Sequence, residues 1–211
     1  MEKLKSSLTN MVGVLVAVAL ITGGLLAVVN HVTTGPKAVK AEKSLADGIK
    51  AVMGTDELTV TANDTVRLTD EKGKELIYVV HKAADKSQQE LGVAVESATM
   101  GFGGELKVLV GFSSDGNILG YTVLQHAETP GLGAKADTWF QKGQKGDIIG
   151  KNPSVRPLTV SKDGGEVDAI TASTITSRAF LKAVNQAYEA YANKATDAHT
   201  GATKQNNQKE G

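Results

Sequence analysis

The sequence predicts an α+β domain that follows a single N-terminal transmembrane helix. Three observations lead to this prediction: an uncharged apolar run near the N-terminus, a central series of strand-like segments separated by turn signals, and a strongly amphipathic segment after them. Strands that are grouped together, with helices before and after them, are typical of a largely antiparallel sheet with packed helices. They are not typical of a doubly wound parallel sheet.

The composition limits the possible function classes. The chain has 211 residues, of which 41% are hydrophobic and 22% are charged, so we expect one globular domain with an additional segment. Basic and acidic residues number 23 each, and this balance predicts no nucleic-acid partner. The sequence contains no cysteine, which excludes disulfides, thiolate zinc sites and cysteine-ligated iron–sulfur clusters, and we predict no metal site. Redox chemistry would therefore need an organic cofactor.

The N-terminal apolar run predicts a membrane anchor. Met11 to Val29 is apolar or Gly except for Thr22, and about 19 helical residues cover roughly 28 Å, close to the hydrocarbon thickness of a bilayer. We therefore assign residues 1–10 to a cytoplasmic N-terminus and residues 11–30 to a transmembrane helix. A cleaved signal peptide is the alternative, but its apolar region would be shorter and would end at a small-x-small cleavage site.

The charges before the span predict its orientation. Lys3 and Lys5 precede it, and basic residues favour the cytoplasmic side, so we expect a single-pass protein of the cytoplasmic (inner) membrane with its soluble domain on the periplasmic or outer face. The soluble domain is assigned to residues 31–191. After Tyr191 there is no large apolar residue, and residues 192–211 are predicted to form a disordered tail.

Within the soluble domain the pattern predicts a helix, a sheet and a final helix. Apolar residues at helical spacing indicate a helix over Lys37 to Met53, and others indicate a final helix over Thr174 to Tyr191. The Asp-Gly of Ser113 to Gly116 predicts a tight hairpin. The predicted strands are Leu58 to Ala62, Thr65 to Thr69, Glu75 to His81, Leu91 to Ser97, Glu105 to Phe112 and Asn117 to Gln125. A helical turn over Asp137 to Gln141 and a second hairpin, from Pro157 to Ser161 and Glu166 to Ile170, are predicted after them.

The first motif with chemical potential is HAETPGLG, residues 126–133. A strand ends here in a Pro-Gly turn, and Gly131 and Gly133 would let backbone amides approach a flat or anionic ligand. A tight turn without a ligand is the alternative interpretation. Taken alone, His126 is interpreted as a strand-end side chain in preference to a general base, and Glu128 as a solvated loop carboxylate.

The second motif is DAITASTITSR, residues 168–178, where a strand gives way to the last helix. Ser173 or Thr174 could cap that helix, so a capped helix without a ligand is one interpretation. The other is a phosphate site, because a helix N-terminus carries exposed amides and the positive end of the helix dipole, and Arg178 lies one turn further on.

Together, HAETPGLG and DAITASTITSRAF behind one N-terminal span resemble the G subunit of the Rnf ion-translocating oxidoreductase and, more distantly, the C subunit of the sodium-translocating NADH:quinone reductase. The resemblance implies an exported FMN-binding domain. Its FMN is joined by a phosphoester bond to the final threonine of an Asp-x-x-Ser/Thr-Gly-Ala-Thr motif by a flavin transferase, and that position is Thr174 here. The motif's Gly-Ala is Ala172-Ser173 in this sequence. A strict copy, DAHTGAT, occurs in the tail and makes Thr203 the alternative acceptor.

The resemblance also implies the residues of a cofactor site and excludes a catalytic side chain. The FMN-binding set that it implies is Glu128, Thr129, Pro130, Gly131, Leu132, Gly133, Thr171, Ala172, Ser173 and Thr174, with Gly101, Gly103 and Gly104 as a weaker set. The residues themselves add Arg178, as a charged donor one turn into the helix, and His126 to the weaker set. The implied function is electron transfer through FMN in a membrane complex that moves electrons between ferredoxin and NAD and couples this to ion transport. The implied partners are the other membrane and redox subunits of that complex and the flavin transferase.

Two alternatives remain open from the sequence. The first is an exported covalent-FMN carrier for another respiratory system. That system could be one like the sodium-translocating NADH:quinone reductase, whose C subunit is NqrC, or an extracellular reductase. The second is a membrane-anchored interaction domain without a cofactor.

Overall fold

The computed structural model describes residues 8–69, 73 and 75–200. The chain divides into two compact units, Met1–Lys43 and Ser44–Gly211. The first helix, α1, runs from Leu8 to Met53, so it begins in the first unit and ends in the second. Its segment Asn10–Thr34 is long and apolar enough to cross a membrane, by length and composition, and it contains the predicted span 11–30.

The second unit is built on one antiparallel sheet of five strands in sequence order. The strands are β1 (Thr59–Thr69), β2 (Glu75–Ala84), β3 (Glu90–Met100), β4 (Glu105–Phe112) and β5 (Ile118–Gln125). The 3-10 turn Gly133–Lys135, the short helix α2 (Ala136–Trp139), the 3-10 turn Ser161–Asp163 and the helix α3 (Thr174–Thr200) follow. The predicted α+β class with a largely antiparallel sheet is confirmed.

The two faces of the sheet are covered by different helices. Inward residues of the sheet, such as Val80, Val95 and Val108, pack in one core with α3, whose Phe180 ring stacks on Phe140 at a centroid distance of 4.3 Å. The edge strand β1 adds the partly buried Val66 and Leu68. On the opposite face, Ile49 and Val52 from the last turns of α1 pack against Ala83, Ala94 and Leu109. Alternation along each strand therefore supplies both cores, as a period of two requires.

A row of polar side chains crosses the face of the sheet that carries Ala83 and Ala94. His81 is buried, and its ring nitrogens lie 2.7 Å from Asn63 Oδ1 and 2.9 Å from Glu96 Oε1. The ammonium of Lys107 contacts the other carboxylate oxygen of Glu96. Burial alone would raise the pKa of Glu96, but the hydrogen bonds and charges of His81 and Lys107 outweigh it, so its pKa is lowered.

Three sequence predictions about the elements differ from the structure. The two strands predicted over Leu58 to Ala62 and Thr65 to Thr69 form the single strand β1, because the intervening Asn63 pairs with His81 across the sheet. The predicted second hairpin is wrong: one isolated parallel bridge joins Val160 to Val167. The side-chain amide of Asn185 on α3 bonds both the N–H and the C=O of Leu158, which removes those groups from a strand ladder.

The third difference is the length of the last helix. Its backbone is helical as far as Thr200, beyond the end that the sequence predicted at Tyr191. The disordered tail over residues 192–211 stays a prediction. Residues 201–211, including Thr203, lie outside the described residues.

Candidate functional site

A cavity of about 420 Å³ lies beside the first turn of α3, where three loops that are distant in sequence meet. We call it the Thr174 cavity. It is lined by Phe102, Glu128, Thr129, Leu132, Gly133 and the consecutive residues Ala172, Ser173, Thr174, Ile175 and Thr176. Phe102 comes from the loop between β3 and β4, the next four come from the loop after β5, and the last five form the start of α3 and the residues before it.

Glu128 holds the three loops together. Its side chain is buried, with the residue only 6% exposed, and Oε1 accepts hydrogen bonds from the N–H groups of Phe102 (2.8 Å) and Gly103 (3.1 Å). Oε2 accepts a hydrogen bond of 2.7 Å from the Thr176 hydroxyl on α3. A buried carboxylate needs such donors, because burial without them costs several kcal/mol. Glu128 is therefore a structural centre of the cavity rather than the solvated loop carboxylate of the alternative interpretation.

Glycines next to Glu128 are required by its close packing. A Cβ at Gly133 would lie 2.3 Å from Glu128 Oε2, and a Cβ at Gly101 would lie 2.2 Å from Oε1. Neither distance is possible for real atoms, so a side chain at either position would displace the carboxylate. Gly133, which was predicted to admit a ligand, thus admits this protein carboxylate, whereas Gly131 has open space around it.

The backbone before α3 adopts an unusual conformation. Ala172 has φ = 61°, in the left-handed region that favours glycine. Ser177 fixes the next turn, because its hydroxyl accepts a hydrogen bond from Ile170 N–H (2.9 Å) and donates one to Ser173 C=O (3.0 Å). Thr174 is then the first residue of α3, and it is partly exposed at the cavity.

Two basic residues lie near the start of α3, and only one of them reaches Thr174. Lys162 Nζ lies 3.4 Å from Thr174 Oγ1. The Arg178 guanidinium instead forms a bidentate pair with Asp163, at 2.7 Å for each bond, and its hydrogen bond and charge lower the pKa of that carboxyl. Arg178 and Asp163 line a different groove, between α3 and the β1–β2 edge.

The predicted site residues divide into three groups. Those that line the Thr174 cavity are Glu128, Thr129, Leu132, Gly133, Ala172, Ser173 and Thr174. Pro130, Gly131 and Thr171 belong to the same loops without lining it, as do Gly101, Gly103 and Gly104 next to Phe102. Arg178 and His126 are directed elsewhere: His126 Nε2 lies 3.5 Å from Asp137 Oδ2, and its Nδ1 accepts a hydrogen bond from Glu128 N–H.

Sequence reasoning missed four residues of the site. Phe102, Ile175 and Thr176 line the cavity, and Lys162 lies at its rim. The sequence does contain a signal for Phe102: an aromatic residue between the glycines of GFGG lies in a loop, where its ring is more available to a ligand than to the hydrophobic core. Lys162 could be found only from the fold, since it reaches Thr174 through the turn Ser161–Asp163. Among the described residues, no three His, Cys, Asp or Glu side chains cluster as metal ligands would.

Comparison with known proteins assigns the class of this domain. Residues 101–189 match the family described as FMN-binding domain. The fold is shared with the crystal structure of Shewanella oneidensis NqrC, with a TM-score of 0.52 at 18% identity, over 75% of this chain and 99% of that chain. Fold and match define a protein with an FMN-binding domain behind an apolar N-terminal helix.

Curated relatives narrow the class to one family. The chain is 31% identical to the G subunit of the proton-translocating ferredoxin:NAD(+) oxidoreductase complex of Clostridium ljungdahlii, over 80% of this chain and 83% of the relative. It is 33% identical to the G subunit of the Na(+)-translocating ferredoxin:NAD(+) oxidoreductase complex of Acetobacterium woodii, over 85% and 89%. The G subunit of the ion-translocating oxidoreductase complex of Vibrio parahaemolyticus is 33% identical, over 83% and 85%. The chain belongs to this family of G subunits, which confirms the resemblance inferred from the two motifs.

The Thr174 cavity fits a flavin nucleotide. Phe102, Ile175 and Leu132 line it although they are 69%, 54% and 41% exposed, and exposed large apolar side chains around one cavity are typical of a ligand site. The hydroxyl of Thr174 and the cation of Lys162 provide a polar end suited to a phosphate. The cavity therefore offers apolar surface for a flat ring and a separate polar end for the nucleotide phosphate.

Proposed function

We propose that this chain is the flavoprotein electron-transfer subunit of an Rnf-type ion-translocating oxidoreductase. The observation that carries the proposal is the position of the Thr174 hydroxyl, at the start of α3 and in a cavity with exposed apolar walls, in a chain of the G-subunit family. FMN bound there supplies one- and two-electron redox chemistry. The partners are the other membrane and redox subunits of the complex, which transfer electrons between ferredoxin and NAD and couple this to ion transport.

The task of this chain is then to position the flavin and not to catalyse with its own side chains. Glu128 fixes the loops that carry Phe102 and Leu132 relative to α3, through its three hydrogen bonds. Rigid walls hold the cofactor at a constant distance from its electron donor and acceptor. They also keep part of the ring out of water, which affects its potential.

The attachment that we propose is a phosphoester bond between Thr174 Oγ1 and the phosphate of FMN. Joining free FMN would release water, which is unfavourable in aqueous solution, so the donor must carry the flavin phosphate on a leaving group. A flavin dinucleotide provides one: Thr174 Oγ1 bonds to the flavin-side phosphorus, the bond between the two phosphates breaks, and AMP leaves while the hydroxyl proton passes to the medium. A flavin transferase performs this step.

Thr174 is preferred to Thr203 because its surroundings are those of a binding site. The Thr174 cavity provides apolar walls, a carboxylate that orders the loops and a neighbouring cation. The tail copy of the motif begins at Asp197 within the helical backbone of α3, whereas Asp168 lies in the loop before α3. Asp197 and Asp168, the first residues of the two copies, therefore lie in different local structure.

The proposed location follows from the apolar segment and the charges before it. The segment Asn10–Thr34 anchors the chain in the cytoplasmic membrane, and Lys3 and Lys5 hold the N-terminus in the cytoplasm. The FMN-binding domain then lies on the outer face of the membrane. A covalent bond is useful there, because a cofactor that dissociates outside the cell is lost.

The test is mass spectrometry of the intact chain and of its peptides, purified from its native membrane. We expect the mass of FMN less one water on the peptide that contains Thr174. Thr174→Ala should abolish the adduct, and Thr203→Ala should leave it unchanged. An adduct on the Thr203 peptide alone would refute the proposed site, and a chain without any flavin would refute the carrier function.

Membership of the complex is tested separately by co-purification. The tagged full chain, extracted in mild detergent, should bring down the membrane and iron–sulfur subunits of an Rnf-type complex. Recovery of a flavinylated chain with components of a different respiratory system would support the alternative exported carrier instead.

A further inference from the structure

We infer that Lys162 is the residue that positions the flavin phosphate at Thr174, a role that the second motif itself does not contain. The inference rests on the proposed function, because it requires a flavin phosphate at Thr174. It is carried by the contact between Lys162 Nζ and Thr174 Oγ1 at 3.4 Å and by the charge distribution around the cavity.

The cavity needs a cation from outside its own lining. Of the ten described residues that line it, Glu128 is the one with an ionisable side chain, and it is acidic. A phosphodiester would bring a further negative charge to Thr174. The first turn of α3 offers partial positive charge, but a full cation at the ester stabilises that charge more strongly.

Arg178 is not that cation, although its sequence position suggested it. Its Nε and Nη2 groups donate to the two carboxylate oxygens of Asp163, and this bidentate geometry holds the guanidinium at Asp163. Releasing Arg178 toward Thr174 would break two charged hydrogen bonds and leave Asp163 without them.

The Asp163–Arg178 pair has a different consequence, which is to place Lys162. It ties the turn Ser161–Asp163 to the first turns of α3, and the backbone bonds Ser161 N–H to Val167 C=O (2.8 Å) and Asp163 N–H to Val160 C=O (2.9 Å) secure the turn on both sides. Lys162 is the middle residue of this turn. Its backbone is therefore fixed, and only the side chain has to be ordered at Thr174.

The position of the ammonium suits both stages of the attachment. Before it, Lys162 donates to the Thr174 hydroxyl oxygen and leaves that oxygen's own proton free to depart. After it, the same oxygen is the ester oxygen, bonded to phosphorus, and the charged phosphate oxygens lie two bonds from it, within reach of the flexible ammonium. The charge on Lys162 thus favours the phosphate in the step that forms the bond and in the product.

The test compares rates of flavin attachment to the full-length chain, in detergent, with flavin transferase and FAD. Intact mass spectrometry follows the time course, and peptide mapping assigns the adduct. Lys162→Met removes the charge and keeps an unbranched side chain, whereas Lys162→Arg keeps the charge. Lys182→Met is the matched control, because Lys182 is an exposed lysine on α3 that lines the other groove.

We expect Lys162→Met to attach flavin at Thr174 about fivefold more slowly, which corresponds to ~1 kcal/mol and is typical of an exposed ion pair. Lys162→Arg and Lys182→Met should be close to the unsubstituted chain. Because the effect is one of charge, the fivefold ratio should approach one at 1 M salt, where the screening length falls to about 3 Å. The thermal unfolding midpoint should be the same in all four proteins, since both lysines are exposed.

The outcomes separate this inference from the proposed function. An unsubstituted chain that is labelled at Thr174, together with a Lys162→Met chain labelled at the same rate, would overturn the inference and leave the proposed function standing. Equal slowing by Lys182→Met, or failure of Lys162→Arg to restore the rate, would also overturn it. An unsubstituted chain without an adduct at Thr174 would refute the proposed site, and the inference with it.

Discussion

Ala172 is predicted to hold a strained backbone conformation that glycine would relieve. Its φ of 61° lies in the left-handed region, which costs a residue with a Cβ roughly 1–2 kcal/mol. Ala172→Gly removes that strain, but the greater entropy of the unfolded glycine chain lowers the free energy of unfolding by about 0.4–1 kcal/mol. Because the Ala172 methyl group is exposed, little burial is lost. We therefore expect the substitution to raise the free energy of unfolding by about 0.5–1 kcal/mol.

The assay is urea unfolding of the full chain in detergent, followed by the fluorescence of Trp139. This is the one tryptophan of the sequence, and its indole N–H donates a hydrogen bond of 2.8 Å to Asp168 C=O in the segment that leads to Ala172. The signal therefore reports on the region that is changed. The matched control is Ala46→Gly, at an exposed position of the regular helix α1, where glycine should lower the free energy of unfolding by about 1 kcal/mol.

The two alanine-to-glycine substitutions are thus expected to have opposite signs. If Ala172→Gly destabilises the protein as much as Ala46→Gly does, then Ala172 does not hold the left-handed conformation in solution. The glycine that the family motif has at this position would then have to be explained by contacts with the flavin transferase and not by the backbone.

Three further predictions concern the cavity and the sheet. Glu128→Ala leaves three donors without their buried acceptor and should lower the free energy of unfolding by about 2–3 kcal/mol in the same urea assay. The control, Glu105→Ala at an exposed position, should change it by less than about 0.5 kcal/mol. Similar values for both variants would contradict the assigned role of Glu128. Gly133→Ala, whose Cβ would meet the Glu128 carboxylate at 2.3 Å, should lower the free energy of unfolding by more than about 2 kcal/mol and should weaken flavin attachment. Gly131→Ala, in open space at φ = 76°, should lower it by only about 1 kcal/mol and leave attachment unchanged. Equal effects would show that the cavity adjusts to a side chain. The folded-state pKa of Glu96 lies below its ordinary 4.5, so its contribution to stability is complete above that value and is lost as the pH falls through the folded pKa. The unsubstituted chain should therefore lose stability more steeply below pH 4.5 than the Glu96→Gln chain. Parallel curves of stability against pH would refute the coupling of Glu96 to His81 and Lys107.

The sheet could be predicted from the sequence wherever local signals were sufficient. The hairpin between β4 and β5 has its Asp-Gly turn where predicted, with Gly116 at φ = 79°. Alternation also predicted β4 with its observed bounds, Glu105–Phe112. The second hairpin was wrong because a tertiary contact decided it: Asn185 on α3 bonds the backbone of Leu158, and nothing near Leu158 in the sequence indicates this.

The site shows the same division between local and tertiary information. Both motifs predicted the loops that line the cavity, because the turn residues and the helix start are local features. The link between them was not predictable, since Glu128 joins Gly103 to Thr176 across three separate segments of the chain. Arg178 illustrates the opposite error. It is the nearest cation to Thr174 in the motif, yet Asp163 binds it, and the fold brings Lys162 to Thr174 instead.

The departure of this chain from the family motif is best understood through the backbone. Ala172, where the resemblance places the motif's glycine, has a left-handed backbone, and α3 begins two residues later with Thr174 at the cavity. Glycine adopts this conformation without steric strain, and alanine adopts it at a steric cost that the hydrogen bonds of Ser177 help to offset. The motif therefore describes a backbone path as well as a recognition sequence. An alanine that follows the same path can present the same hydroxyl, whereas a strict copy that begins in a continuous helix, as at Asp197, does not start from that path.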